Sequence, residues 1–264
     1  MCKVVFSDID GTLLDDDHQL TPLNELGIKE LIKNDISFVM VSGRSLPSIR
    51  LISDAYKYKC PAICFGGCLI YDENNNVLFN KGINKNIAKE MIDYLLGKYS
   101  LTYCIYVLDK WYTPNRSNPH IIREEKIVKS TAIEGSFDDI KSSEINKVLL
   151  ICKKEECQLI NDDLTHKYPD YSFVMSSDTQ VEIMPSGTSK GSAVKKYCEI
   201  YGIDLKETIS FGDHFNDKSM LEITGDYFLM DNAPKTLKEK LPHKCKSNNE
   251  SGFYFALKSL HLIK

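Results

Sequence analysis

The chain has 264 residues, of which 42% are hydrophobic and 27% are charged, and its formal net charge at pH 7 is −4. This length exceeds the usual domain size of about 100–150 residues, so we expect two modest domains. No stretch approaches the ~18 consecutive apolar residues of a membrane span, and the basic residues are dispersed, which argues against membrane and nucleic-acid partners. Nine cysteines without a C-x-x-C pair or an export signal predict reduced thiols and a cytoplasmic location.

Strands and helices alternate in the first part of the chain. An apolar run at residues 4–6 predicts a buried strand, and Thr21 as N-cap with Pro22 at the first helical position predicts that a helix follows. Further patterns predict strands at 36–41 and 61–65, a helix at 47–57 and a hairpin turn at 73–76. This β-α-β-α-β order is typical of a right-handed, largely parallel sheet.

The same alternation returns near residue 187, with helices predicted at 190–201 and 216–223 and strands at 208–211 and 227–230. The segment between follows a different pattern, with helices at 87–99 and 155–168 and strands at 102–108, 147–152, 172–175 and 181–184. We therefore predict a Rossmann-like α/β core made of residues 1–82 and 187–264, with residues 83–186 inserted as an α+β cap domain.

Four polar clusters fall at predicted strand ends or helix starts, at residues 8–12, 42–44, 188–191 and 212–217. Ligands of open α/β sheets bind beyond the carboxyl ends of the strands, so these clusters are candidates for one site. Asp8, Asp10 and Asp213 would crowd three carboxylates there, and their repulsion requires a cation. Oxygen ligands with few protein carboxylates favour Mg²⁺.

The two carboxylates that leave the first strand suit a two-step displacement. Asp8 can attack phosphorus as a nucleophile and carry the phosphoryl group. Asp10 can protonate the leaving oxygen and later take a proton from water. An isolated Asp-x-Asp is more often a solvated turn, but the joint order of the four clusters favours the catalytic interpretation.

Donors for a bound phosphate come from the other clusters. Ser42 offers a hydroxyl group, Lys190 an ammonium group, and Gly43 lets the backbone approach closely. Lys190 could instead be an exposed lysine in the first turn of its helix. For Arg44 the sequence leaves a site residue and a surface residue equally open.

These motifs resemble those of the haloacid dehalogenase superfamily, and within it the Cof-type sugar-phosphate phosphatases. The segment DIDGTLL at residues 8–14 looks like the first motif, Ser42 the second, Lys190 the third, and residues 212–217 the fourth. The resemblance spans nearly the whole chain. It differs from the usual pattern at three places. Relatives often have a small residue at the position of His214, Asn-Gly at Gly66-Gly67, and Gly-Asn-Ala at Asp231-Asn232-Ala233.

The resemblance implies a role for each matching residue. Asp8 would be nucleophile and metal ligand, Asp10 would be acid/base and bind the metal through its backbone carbonyl, and Asp213 would complete the protein ligands. Thr12 and Asp217 would support the site, and Asn216 would contact the substrate. The cap would select that substrate, and residues 106–124, which include Trp111, would either face it or belong to the core.

We therefore expect a Mg²⁺-dependent phosphatase of small phosphorylated metabolites such as sugar phosphates, as a monomer or weak homo-oligomer. Two alternatives remain open at this point. One is a phosphomutase, because mutases of the same superfamily share the Asp-x-Asp pair. The other is a non-catalytic sensor that binds phosphorylated ligands, although every catalytic group is present.

Overall fold

The computed structural model describes residues 2–264, and the chain divides into two compact units. The first unit contains the chain up to Arg44 together with Ile49–Phe79 and Ser189–Lys264. The second contains Ser45–Ser48 and Asn80–Thr188. Across the described residues, every helix is too short or too polar to cross a bilayer.

The first part of the chain forms the strands and helices expected from its sequence pattern. Thr21 caps the first helix by accepting a hydrogen bond from the backbone N–H of Asn24, and Pro22 occupies the first turn, so that predicted start is confirmed. The elements are β1 (Val4–Ser7), α1 (Pro22–Lys33), β2 (Ser37–Val41), α2 (Leu46–Ala55), β3 (Ala62–Cys64), β4 (Leu69–Tyr71) and β5 (Val77–Asn80).

The middle of the chain contains four short strands and a helix that the sequence analysis missed. The helix begins at Pro119, and the side chain of Asn118 accepts its first backbone N–H, so a cap signal was present but not used. The elements are β6 (Ile83–Asn84), α3 (Lys85–Leu96), β7 (Thr102–Val107), β8 (Lys110–Thr113), α4 (Pro119–Val128), β9 (Ile133–Glu134), β10 (Glu144–Ile145), β11 (Lys147–Ile151), α5 (Lys154–Lys167), β12 (Tyr171–Ser177) and β13 (Gln180–Pro185).

The last part returns to alternating strands and helices. Its elements are α6 (Lys190–Tyr201), β14 (Thr208–Gly212), α7 (Lys218–Leu221), β15 (Asp226–Leu229), α8 (Lys235–Lys238) and α9 (Gly252–Ser259). The helix predicted at 216–223 was too long, because α7 covers only Lys218–Leu221. The preceding residues stay in a loop since the carboxylate of Asp217 binds the backbone N–H groups of Asp213 and His214.

A seven-stranded sheet in the order β15-β14-β1-β2-β3-β4-β5 forms the centre of the first unit. Strand β1 pairs in parallel with both β2 and β14, the pairs β2–β3 and β14–β15 are also parallel, and β3 pairs with β4 antiparallel, so the largely parallel sheet is confirmed. Buried side chains from the sheet and α6 make its core, among them Phe6, Val39, Ile63 and Val194. Strands β1 and β14 end side by side, because Ser7 lies opposite Phe211.

A second sheet, in the order β12-β13-β11-β7-β8-β9, belongs to the second unit. Its pairs are antiparallel except β8 with β9. One face packs on α3 and α5 through a separate hydrophobic core that includes Met91, Ile105, Val148, Ile160 and Ile183. Each unit therefore has its own core.

Candidate active site

A buried lysine joins two carboxylates at the carboxyl end of the parallel sheet. Lys190 is the first residue of α6, whose N-cap is Ser189, and its Nζ lies 2.5 Å from Oδ1 of Asp8 and 2.5 Å from Oδ1 of Asp217. Its side chain is only 1% exposed. Burial lowers the pKa of Lys190, but the two carboxylates outweigh it and hold the pKa above the ordinary value, so the amine is charged. The exposed-lysine interpretation is wrong.

Asp217 also fixes the loop that follows β14. Its Oδ2 accepts hydrogen bonds from the backbone N–H groups of Asp213 and His214, each at 2.9 Å. Gly212 makes this turn possible, because a Cβ there would lie 2.5 Å from the Cβ of Asp217. One buried carboxylate thus sets the position of both Lys190 and Asp213.

The loop after β1 packs directly on Asp213. Gly11 has a positive φ of 75°, and a Cβ at this position would lie 2.5 Å from Oδ2 of Asp213. The hydroxyl of the buried Thr12 donates to Oδ1 of Asp213 at 2.9 Å. Glycine is therefore needed in this loop both for its backbone conformation and for the close approach of the carboxylate.

Three carboxylates form a cluster that fits a divalent cation. Oxygen atoms of Asp8, Asp213 and Asp217 all lie within 4.8 Å of one another. Burial and the neighbouring charge of Asp217 raise the pKa of both Asp8 and Asp213, and Lys190 opposes this only in part. One ammonium group facing three carboxylates leaves an excess of negative charge, and all-oxygen donors suit Mg²⁺.

The side chain of Asp10 points to a different partner. Arg44 binds it with two hydrogen bonds, from Nε at 2.7 Å and from a terminal nitrogen at 2.5 Å, and His18 lies 3.6 Å away. Arg44 is therefore not a free surface residue but contacts a predicted site residue. The carboxylate of Asp10 is outside the three-carboxylate cluster, which is compatible with a metal contact through its backbone carbonyl alone.

Ser42 follows β2 and is buried at the edge of the same site. Its hydroxyl oxygen accepts the backbone N–H of Arg44 at 3.2 Å, and its carbonyl accepts the N–H of Gly66 at 3.0 Å. The hydroxyl proton remains available to a bound anion. Gly43 has open space where a Cβ would be, so its missing side chain leaves room beside Ser42.

Comparison with known proteins identifies the family of this chain. The sequence profile of haloacid dehalogenase-like hydrolases matches residues 5–257. The chain belongs to this family. The family resemblance and the α/β fold with a Rossmann-like core are thereby confirmed, as is the prediction of an enzyme of the haloacid dehalogenase type that hydrolyses phosphoric monoesters.

Several relatives align with this haloacid dehalogenase-like hydrolase over nearly their full length. A Haemophilus influenzae protein provisionally named a phosphatase is 31% identical, with 97% of each chain covered. The 5-amino-6-(5-phospho-D-ribitylamino)uracil phosphatase of Bacillus subtilis is 25% identical, with 98% of each chain covered. A crystal structure from Thermotoga maritima superimposes with a TM-score of 0.90 at 27% identity, covering 98% of this chain and 97% of that one.

The remaining predicted residues of the hydrolase lie in the loop after β14. Asn216 and His214 are both exposed, and the substrate contact expected of Asn216 stays a prediction. Sequence reasoning gave Asp217 a supporting role, but the structure also makes it a member of the carboxylate cluster. It noted Asn232 only as part of a segment that resembles the family and gave it no role, whereas its side chain donates to the carbonyl of Gly11 at 2.7 Å.

The polar and aromatic stretch of the second unit is partly core. Trp111 is buried, stacks on Tyr106 with ring centroids 5.7 Å apart, and donates from Nε1 to Ser130. Arg116 is engaged in an ion pair with Glu125 at 2.7 Å. For Trp111 the core interpretation is therefore correct.

Proposed function

We propose that this hydrolase is a Mg²⁺-dependent phosphatase of small phosphomonoesters and that Asp8 carries the phosphoryl group as an aspartyl-phosphate. The observation that carries the proposal is the contact of buried Lys190 with Asp8. An ammonium group on Oδ1 balances charge at the nucleophile and leaves Oδ2 as the oxygen that attacks.

The reaction takes place in two displacements. In the first, a bond forms between Asp8 and phosphorus and the bond from phosphorus to the leaving oxygen breaks. Asp10 enters this step protonated, with one oxygen still accepting from Arg44, and gives the proton on its other oxygen to the leaving oxygen. In the second, water attacks phosphorus, Asp10 takes a proton from the water, and phosphate departs from a restored Asp8. Ser42 donates to a phosphoryl oxygen, and Arg44 keeps Asp10 oriented.

The residues that would hold Mg²⁺ are Asp8 and Asp213 through their carboxylates and Asp10 through its backbone carbonyl. The nearby carboxylate of Asp217 would add a further negative charge close to the ion. When bound, the ion would offset the negative charge of the phosphoryl oxygens. The closeness of the three carboxylates supports this choice of ligands.

We further propose that residues 83–186 act as a cap that selects the substrate, since all the predicted site residues lie in the first unit. Sugar phosphates are the expected class. The name of the Bacillus subtilis relative adds phosphorylated ribityl compounds to the substrates worth testing.

The experiment measures inorganic phosphate released from sugar phosphates, nucleotides, flavin and pyridoxal phosphates and 5-amino-6-(5-phospho-D-ribitylamino)uracil. It compares Mg²⁺ with a chelator and wild type with Asp8→Asn. We expect Mg²⁺-dependent release that Asp8→Asn lowers at least about 10³-fold, because asparagine keeps the shape but is not a nucleophile. Asp17→Asn, an exposed neighbour in the same segment, is the matched control and should match wild type.

Three outcomes contradict the proposal. If Asp8→Asn releases phosphate at the wild-type rate, Asp8 is not the nucleophile. If no substrate releases phosphate and phosphoryl exchange appears only when a sugar bisphosphate is added, the protein is a phosphomutase. If phosphorylated ligands bind without either reaction, the protein is a sensor.

A further inference from the structure

The loop that follows the nucleophile is tied to the C-terminal part of the chain by asparagine side chains. Asn232 lies after β15, and its Nδ2 donates to the carbonyl of Gly11 at 2.7 Å. Its Oδ1 accepts the backbone N–H of Asn248 at 3.1 Å. One side chain thus links two backbone segments, Gly11 and Asn248, that are far apart in sequence.

Asn248 extends this link along the same loop. It is 1% exposed, and its Nδ2 donates to the carbonyl of Leu14 at 3.1 Å and to Oδ1 of Asp16 at 3.0 Å. Its neighbour Asn249 reaches only Asp16, with Nδ2 2.8 Å from Oδ2. Asn232 and Asn248 therefore hold the carbonyls of Gly11 and Leu14, whereas Asn249 contacts only Asp16 at the exposed end of the loop.

On its other side, Gly11 packs against Asp213, and Thr12 donates to that carboxylate. The amide of Asn232 and the carboxylate of Asp213 thus both fix the position of Gly11. Because Asp10 immediately precedes Gly11, a shift of this peptide also moves Asp10 relative to Asp213. A displacement of about 1 Å at a reacting group can cost about 10²-fold in rate.

We propose that Asn232 is a positioning residue, which holds the Gly11 peptide in place and so sets the placement of Asp10 without contacting the substrate. The proposal rests on the proposed phosphatase function. Asn232 itself is exposed, so its removal should disturb loop placement much more than folding.

The test compares Asn232→Ala, Asn232→Asp and Asn249→Ala. Aspartate keeps the shape and the acceptor for Asn248 but cannot donate to Gly11. We expect both Asn232 variants to lose about 10–100-fold in kcat with KM within about threefold. The melting temperature should fall by less than about 4 °C, and Asn249→Ala should retain wild-type kcat.

Hydrogen exchange supplies a readout that does not depend on activity. In Asn232→Ala the backbone N–H groups of residues 12–14 should exchange faster than in wild type, while those of β2 should not change. The inference is overturned if kcat stays within twofold of wild type, if only KM changes, or if exchange at residues 12–14 is unaltered. A wild type without phosphatase activity refutes the proposed function alone, because the exchange result still decides the role of Asn232.

Discussion

At the scale of single residues, the least expected contact of the site is the ion pair between Asp10 and Arg44. Its two hydrogen bonds use Nε and a terminal nitrogen of the guanidinium, a fork that matches both oxygens of the carboxylate. Both side chains are partly exposed, so the pair adds little to folding stability. Its main effect is to orient Asp10.

Arg44→Ala tests this role. We expect kcat to fall about 10–100-fold with a smaller change in KM, because Asp10 loses its orientation but the phosphate donors remain. Arg44→Lys should recover little, since a lysine cannot form the two-pronged contact. Steady-state kinetics of both variants decide the point. A variant as active as wild type would instead indicate that the pair breaks before the reaction.

At the scale of elements, the short loop between β3 and β4 contacts two segments of the site, the one that follows β2 and the one that precedes Lys190. The N–H of Phe65 donates to the carbonyl of Arg44, and the N–H of Gly66 donates to that of Ser42. Phe65, Gly66 and Gly67 all have positive φ, at 50°, 63° and 118°. Gly67 also packs against the backbone of Ser189, immediately before Lys190.

The two glycines of this loop should differ in how strongly substitution destabilises the protein. A Cβ at Gly67 would overlap the carbonyl oxygen of Ser189, so Gly67→Ala should lower the free energy of unfolding by about 1–3 kcal/mol or more. Gly66 has open space around it and a left-handed conformation that asparagine tolerates, so Gly66→Asn should stay within about 0.5 kcal/mol. Denaturant titrations measure both. Equal effects would show that loop packing does not distinguish the two positions.

Elements were predictable where local signals agreed. Helix α6 has the predicted bounds, because Ser189 caps its start and Gly202, with φ of 64°, ends it. The start of α7 was not predictable from sequence. Residues before it stay in a loop because the carboxylate of Asp217 accepts backbone N–H groups that only the folded chain brings to it. The β8–α4 region was missed because its polar residues suggested a binding surface rather than a helix.

The residues of the site were likewise predictable only in part. The motif positions of Asp8, Lys190 and Asp213 follow from sequence order and the carboxyl ends of parallel strands. Their partners do not, because contacts such as Arg44 with Asp10 or Asn232 with Gly11 join segments that no local pattern relates. Sequence therefore indicated the chemical groups, and the structure adds what orients them.

At the scale of the whole molecule, the response of stability to pH depends on how each acid is placed. Glu124 is buried beneath the second sheet, where Lys147, Gln180 and Glu182 are its polar neighbours. Burial raises its pKa above the ordinary 4.5, more than Lys147 and Gln180 lower it. The next residue, Glu125, has its pKa held below 4.5 by hydrogen bonds from Arg116 and the N–H of Ala132.

These neighbouring acids should therefore have opposite effects on folding. The stabilising contribution of Glu124 is fully present below pH 4.5 and is lost as the pH rises through its higher folded-state pKa. The contribution of Glu125 is present above pH 4.5 and is lost as the pH falls through its lower folded-state pKa. Glutamine is neutral throughout, so each Glu→Gln variant isolates one contribution.

Denaturant unfolding of Glu124→Gln and Glu125→Gln at about pH 4 and about pH 7.5 tests this. Relative to wild type, Glu124→Gln should gain stability as the pH rises, because it avoids a buried charge. Glu125→Gln should lose stability over the same rise, because it lacks the ionised partner of Arg116. If the two variants shift in the same direction, burial is not the dominant influence on Glu124, and Lys147 compensates its charge more fully than the structure indicates.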